Sequence, residues 1–163
     1  MQLHTRTAFA ATTVALAFVV ALASTALAQS NPHIGSWKGN VAKSTVSAGP
    51  TPTSNTTSIV AAGAGTTSTV DSTYTDGTSR HWSYTTNYDG KDSPITGNSQ
   101  WGDSVAVTRV DANTLRSVYK LKGTVTATQT TVVAPGGKTR TVTTTGKNAA
   151  GQAVNNVTVY DKQ

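Results

Sequence analysis

The stretch Arg80-His81-Trp82-Ser83-Tyr84-Thr85-Thr86-Asn87-Tyr88-Asp89-Gly90-Lys91 decides how the rest of the chain is read. Trp82, Tyr84 and Tyr88 stand two and four residues apart, so an extended strand carries all three on one face. Asp89-Gly90 has the turn chemistry of a tight hairpin and predicts a reversal there. With Trp101, this region holds four of the eight aromatic residues that lie beyond residue 28. His81 has the opposite parity and is expected to face away from the aromatic side.

Working outward, the same alternation recurs. Strand-like segments are predicted over residues 33–40, 55–62, 66–74, 80–88, 103–110, 114–122, 124–133, 138–145 and 153–162, with a short edge piece at 91–96 that carries Pro94. Turns fall between them at Gly63-Ala64-Gly65, Asp76-Gly77, Asp111-Ala112-Asn113, Gly123 and Pro135-Gly136-Gly137. Gly49-Pro50-Thr51-Pro52-Thr53-Ser54 reads as an extended connection that does not pair. Links this short favour pairing of sequential neighbours, hence an antiparallel up-and-down meander. An open sheet of that size would leave two bare edges, and closure into a barrel of about 8–10 strands removes them. The alternative is a β-sandwich, for which only residues 42–54 offer a crossing connection.

Residues 1–28 read as a secretory signal peptide. Arg6 and the free amine make a positive start, residues 8–23 are apolar, and Ala26-Leu27-Ala28 is a small-x-small cleavage site before Gln29. The expected organisation is therefore signal peptide 1–28 and one β-barrel domain over 29–163, exported to a periplasm or the extracellular space, monomeric, with no membrane span once the leader is cut. The 135 residues after cleavage contain 27 Thr and 15 Val, but two Leu, three Ile, no Phe, no Glu and no Cys. Thr is a β-branched strand former, so the composition predicts a folded β-domain with a partly polar interior rather than disorder. The formal charge of +6 is scattered without any run of Lys and Arg, which argues against nucleic acid as a partner.

No reacting group stands out. Only His33 and His81 are available as bases after the leader, and no nucleophile elbow is present. Asp76, Asp89 and Asp111 sit at turns, where Asp bonds its own backbone. Two distant His without Cys make no zinc site, and no cofactor is implied. Asn55-Thr56-Thr57 and Asn156-Val157-Thr158 match the glycosylation pattern that a Thr-rich chain produces by chance. Arg109 shares parity with Val105 and Val107, and Arg116 with Val118. Either an arginine points inward and holds an acidic ligand head through its planar fork, or it is a solvated rim residue.

Gly35-Ser36-Trp37 on the first strand, followed by an antiparallel meander, resembles the Gly-x-Trp motif of lipocalins and the related fatty-acid-binding proteins. The resemblance implies a calycin barrel in which Gly35 and Trp37 serve structurally, the Trp packing across the closed end. Beyond this motif, Gly35-Ser36-Trp37-Lys38, Ala42-Lys43-Ser44, Tyr88-Asp89-Gly90-Lys91-Asp92, Thr96-Gly97-Asn98, residues 109–114 and residues 154–160 look like a group of small exported bacterial proteins described as lipocalin-like. There are departures. The lipocalin disulfides are absent, residues 41–54 replace the helical lid pair of fatty-acid-binding proteins, and Tyr160-Asp161-Lys162 stands where a late-strand Arg usually packs on the Trp.

The expected function is that of an exported, non-catalytic, lipocalin-like protein taking a small apolar or amphipathic molecule. Its candidate ligand-binding residues are Trp82, Tyr84, Tyr88, Trp101, Arg109 and Tyr119. The competing reading is that these aromatics fill a core short of Leu and Ile. A cell-envelope or extracellular interaction protein is the alternative, and it predicts Trp82 and Trp101 exposed as a patch.

Overall fold

The computed structural model describes residues 31–147 and 151–163. The predicted signal peptide and cleavage site lie outside the described residues. Eleven strands form one sheet: β1 (Gly35–Gly39), β2 (Pro52–Ala62), β3 (Gly65–Tyr74), β4 (Ser79–Thr86), β5 (Asp89–Pro94), β6 (Thr96–Gly97), β7 (Ser104–Arg109), β8 (Thr114–Leu121), β9 (Thr124–Val133), β10 (Thr139–Lys147) and β11 (Ala153–Lys162). Every ladder is antiparallel, in the order β5-β7-β8-β9-β10-β11-β1-β2-β3-β4-β6. The sheet curls into a nearly closed barrel, so the predicted meander holds and the two-sheet sandwich does not. Among the described residues no helix is long and apolar enough to cross a membrane.

Two expectations fail locally. The predicted hairpin at Asp89-Gly90 does not exist, because β4 pairs with β3 and β6, whereas β5 pairs with β7. The chain turns two residues earlier, at Asn87-Tyr88. Tyr88 adopts φ +61, and its N–H donates to the Thr86 hydroxyl at 3.1 Å. That left-handed residue aims β5 away from β4, and the place read as a hairpin is the seam of the barrel. The chain recrosses the seam through residues 94–96. Pro94 ends β5 on one edge, and Gly97 lets β6 lie against β4 on the other. A Cβ at Gly97, which has φ +99, would stand 2.2 Å from the His81 carbonyl.

The second failure is the Pro-bearing connection. Pro52 opens β2 opposite Tyr74, with a bulge before Ser54, so residues 52–54 of the segment read as unpaired belong to the wall. Between β1 and β2 stands a single 3-10 turn, Val41–Lys43, capped by the Asn40 side chain. A strap follows, in which Thr45 bridges Val157, Ser44 Oγ accepts the Val159 N–H at 3.0 Å, and Ser47 Oγ accepts the Asn155 N–H at 2.7 Å. The strap thus takes over the edge of β11 that the short β1 leaves uncovered.

Inward positions alternate with outward ones along each strand, as period-2 sequences require. The buried side chains form two clusters. One gathers Trp37, Ile59, Val133, Val142 and Tyr160 at the end where the chain enters β1. The other gathers Val70, Trp82, Trp101, Val105, Val107, Leu115, Tyr119, Ala127 and Val154.

Candidate functional site

Between these clusters lies a cavity of about 360 Å³, within the range of small-molecule sites. Its walls follow from strand register. On β2–β4, the cross-strand partners Thr57, Val70 and Trp82 make one inward row, and Ile59, Ser68 and Tyr84 another. Trp82 stacks on Tyr84 at 5.8 Å and meets the edge of Tyr119 at 6.1 Å. Trp101 leans on Tyr119 at 6.4 Å from the loop before β7, held by hydrogen bonds to the Ser99 and Thr126 hydroxyls. Offset and edge-on ring contacts of this kind fix an aromatic wall in place.

The facing wall, on β8–β11, is more polar. Ser117, Thr131 and Thr144 are buried there, and the Tyr119 hydroxyl donates to Gln129 Oε1 at 3.1 Å. Burial pushes the Tyr119 phenol well above its ordinary value and raises that of Tyr84, so both are neutral donors near neutral pH. Asn55 and Asn156, the two glycosylation-type asparagines, face this cavity too. Asn55 donates to the Tyr160 hydroxyl at 2.9 Å, and Asn156 accepts the Ser47 N–H at 2.9 Å.

The closed end carries charge. Trp37 is fully buried, and its indole N–H donates to the His33 carbonyl at 2.9 Å. Arg140 lies 5.2 Å from the Trp37 ring and 4.4 Å from the Tyr160 ring, and Lys162 is 5.1 Å from Trp37. Gly35 explains the first residue of the motif. It has φ +135, and a Cβ there would stand 2.7 Å from the Lys162 side chain that reaches over Trp37. A late-strand Arg therefore does cover the Trp, contrary to the expected departure: it is Arg140 on β10, joined by Lys162 at the end of β11.

Arg140 is buried and lines the cavity among the Tyr160, Tyr84 and Tyr119 phenols. Desolvation lowers its pKa, yet a guanidinium stays charged. Its Nε–H has no hydrogen-bond partner, and among the described residues no carboxylate pairs with it. Beneath it, His33 is fully buried with neither ring nitrogen bonded. Burial, and then the Arg140 charge, lower its pKa from 6.5 to about 4.

No family model matches the sequence, and no curated protein does. Among solved structures, the barrel is similar to the crystal structure of zebrafish ileal bile acid-binding protein complexed with cholic acid. The TM-score is 0.50 at 18% identity, covering 81% of this chain and 99% of that one. The fold is a calycin barrel of the fatty-acid-binding-protein type.

In this barrel Trp82, Tyr84, Tyr88, Trp101 and Tyr119 all line the cavity. Tyr88 does so from its turn, where its hydroxyl bonds Thr66 at 2.7 Å and Asn31 at 3.0 Å. Trp82 and Trp101 are buried, so the outward aromatic patch that an interaction protein would need is absent from these two residues. Arg109 is exposed and off the cavity, its guanidinium 4.5 Å from the centre of the Tyr88 ring. His81 does face outward, and it finds a partner the sequence did not suggest in Asp71, at 2.6 Å across the β3–β4 ladder. Arg140 is the cavity residue that sequence reading missed. Its signal was parity, since it alternates with Val142 and Thr144 in a segment that reads as little more than Thr.

Proposed function

We propose that the protein is an exported, monomeric, non-catalytic carrier whose barrel holds a small, partly apolar molecule with an acidic group. The observation that carries this reading is a buried guanidinium, without a carboxylate partner among the described residues, opening onto a cavity lined by aromatic rings. Keeping an unpaired cation out of water is costly, and a bound carboxylate or sulfonate offsets that cost through charge-assisted bonds. Trp82, Tyr84, Trp101 and Tyr119 supply the apolar contact area, and the phenols orient the head. The solved neighbour, complexed with cholic acid, is an amphipathic-acid complex on the same scaffold, which is compatible with this reading. Export rests on the reading of residues 1–28.

The test is to purify the protein from its host and record native mass spectra and tryptophan fluorescence. A co-purified small molecule, with blue-shifted emission resistant to iodide, is the expected result. Empty protein with freely quenched tryptophans would sink the proposal. N-terminal sequencing of the exported form should begin at Gln29, and retention of the leader would remove the export part.

A further inference from the structure

The register of the polar wall has a consequence for what can lie against it. Ser117 pairs with Gln129, Gln129 with Thr144, and Thr144 with Asn156, so these four residues form one continuous row across β8, β9, β10 and β11. All four line the cavity. The row holds two hydroxyls and two carboxamides, and no charge. The Ser117 and Thr144 side chains are buried, and among the described residues neither hydroxyl is bonded to protein. Gln129 is oriented through its oxygen by the Tyr119 hydroxyl, and Asn156 through its oxygen by the Ser47 N–H and hydroxyl. The two amide groups are thus fixed with their N–H₂ ends left to bond elsewhere.

An acyl chain laid along this row would leave the whole belt facing methylene groups. Each buried polar group left unpaired weakens such a complex about tenfold or more. Trp82, stacked on Tyr84 and meeting the edge of Tyr119, lines the same cavity from β4. A ring with hydroxyl groups toward the belt and an apolar face toward Trp82 satisfies both walls. We propose that the ligand class is a polyhydroxylated ring, such as the sugar of a small glycoside, with Ser117, Gln129, Thr144 and Asn156 reading its hydroxyls. This rests on the carrier reading and deepens it, because a polar belt selects against plain hydrocarbon acids.

The experiment uses the full chain after leader removal and the fluorescent probe 1-anilinonaphthalene-8-sulfonate. Two competitors are compared below their micelle concentrations: octyl β-glucoside, and 2-octyloxytetrahydropyran, the same ring ether without hydroxyls. Displacement by the glucoside at least about tenfold tighter than by its bare analogue is expected. That advantage should disappear in Ser117→Ala/Thr144→Val, a double variant whose fold is checked by circular dichroism. Equal displacement by the two competitors, or tighter displacement by the bare ether, overturns the hydroxyl reading and leaves the carrier reading standing. Failure of the probe itself to bind overturns the carrier reading and this inference with it. The competitor comparison needs no variant, so a poorly folding double variant does not block the test.

Discussion

The two ends of the barrel interior are built on opposite principles. At the closed end, Trp37 is fully buried against Ile59, Val133, Val142 and Tyr160, with two cations over its ring and a histidine without side-chain partners below. Around the cavity, the aromatics of β4, β8 and the loop before β7 touch one another and leave space beside them. One end spends polar groups on closure, while the other leaves them open to a ligand. Stability should therefore respond chiefly to changes at the base, and ligand affinity to changes in the cavity. Arg140 stands at the junction and belongs to both.

The largest expected effect lies at the base. Trp37→Ala removes a fully buried ring, its bond to the His33 carbonyl and the surface under two cations. A loss of about 3–5 kcal/mol is expected in urea unfolding. A loss below about 1 kcal/mol would mean that Trp37 is not the keystone of the closed end.

Acid should act on the same end next. His33 has an ordinary pKa of 6.5 and a folded value lowered to about 4 by burial and then by the Arg140 and Arg109 charges, with Asp111 acting against them and Lys162 adding least. Between those values the unfolded chain binds a proton that the folded chain does not. Stability is therefore complete above about pH 6.5 and falls as the pH drops toward 4, by roughly 3 kcal/mol. His33→Phe, which keeps the backbone carbonyl used by Trp37, should flatten that slope in unfolding curves taken across the window. A slope unchanged by the substitution would move the acid sensitivity to other groups.

Arg140→Met separates the two ends. Replacing a buried, unpaired cation by an apolar side chain of similar length should leave urea stability unchanged or raise it. Affinity for the anionic naphthalene sulfonate probe should fall about tenfold or more, since a hydrogen bond to a charged group is worth about 1.5–3 kcal/mol. Destabilisation with unchanged probe affinity would reduce Arg140 to a structural cap on Trp37.

Much of this architecture is legible in the sequence, and the misses share a physical cause. Alternation in residues 124–133 and 153–162 gives β9 and β11 to the residue, because period 2 is a local property. The Gly-x-Trp motif singles out Gly35 and Trp37, and these are a glycine at φ +135 and a fully buried ring. The seam is different. Asp89-Gly90 has hairpin chemistry, yet whether β5 pairs with β4 or β7 is decided by Tyr88 taking a left-handed conformation and by the long β7–β8–β9 ladder behind β5. The resemblance points to residues 160–162 for the cation over Trp37, and Lys162 does reach the ring; the second cation is Arg140, which register places opposite Tyr160 on the neighbouring strand. Inward polarity was foreseen from the Thr content, but the belt from Ser117 to Asn156 appears only once four strands are aligned.

Arg109 provides the smallest effect and the sharpest control. Strand parity admits it as an inward arginine, and it differs from Arg140 in one respect that matters: it lies over the Tyr88 ring exposed to water. A solvated guanidinium has already satisfied its charge, so it has little to gain from a ligand. Its ring contact is worth about 0.5–1 kcal/mol at such a site. Arg109→Ala should therefore lower stability by no more than that and leave the sulfonate probe's affinity unchanged, where Arg140→Met loses about tenfold. A larger loss of affinity for Arg109→Ala than for Arg140→Met would mean that anions are met at the outer rim, and that the buried guanidinium serves only to cover Trp37.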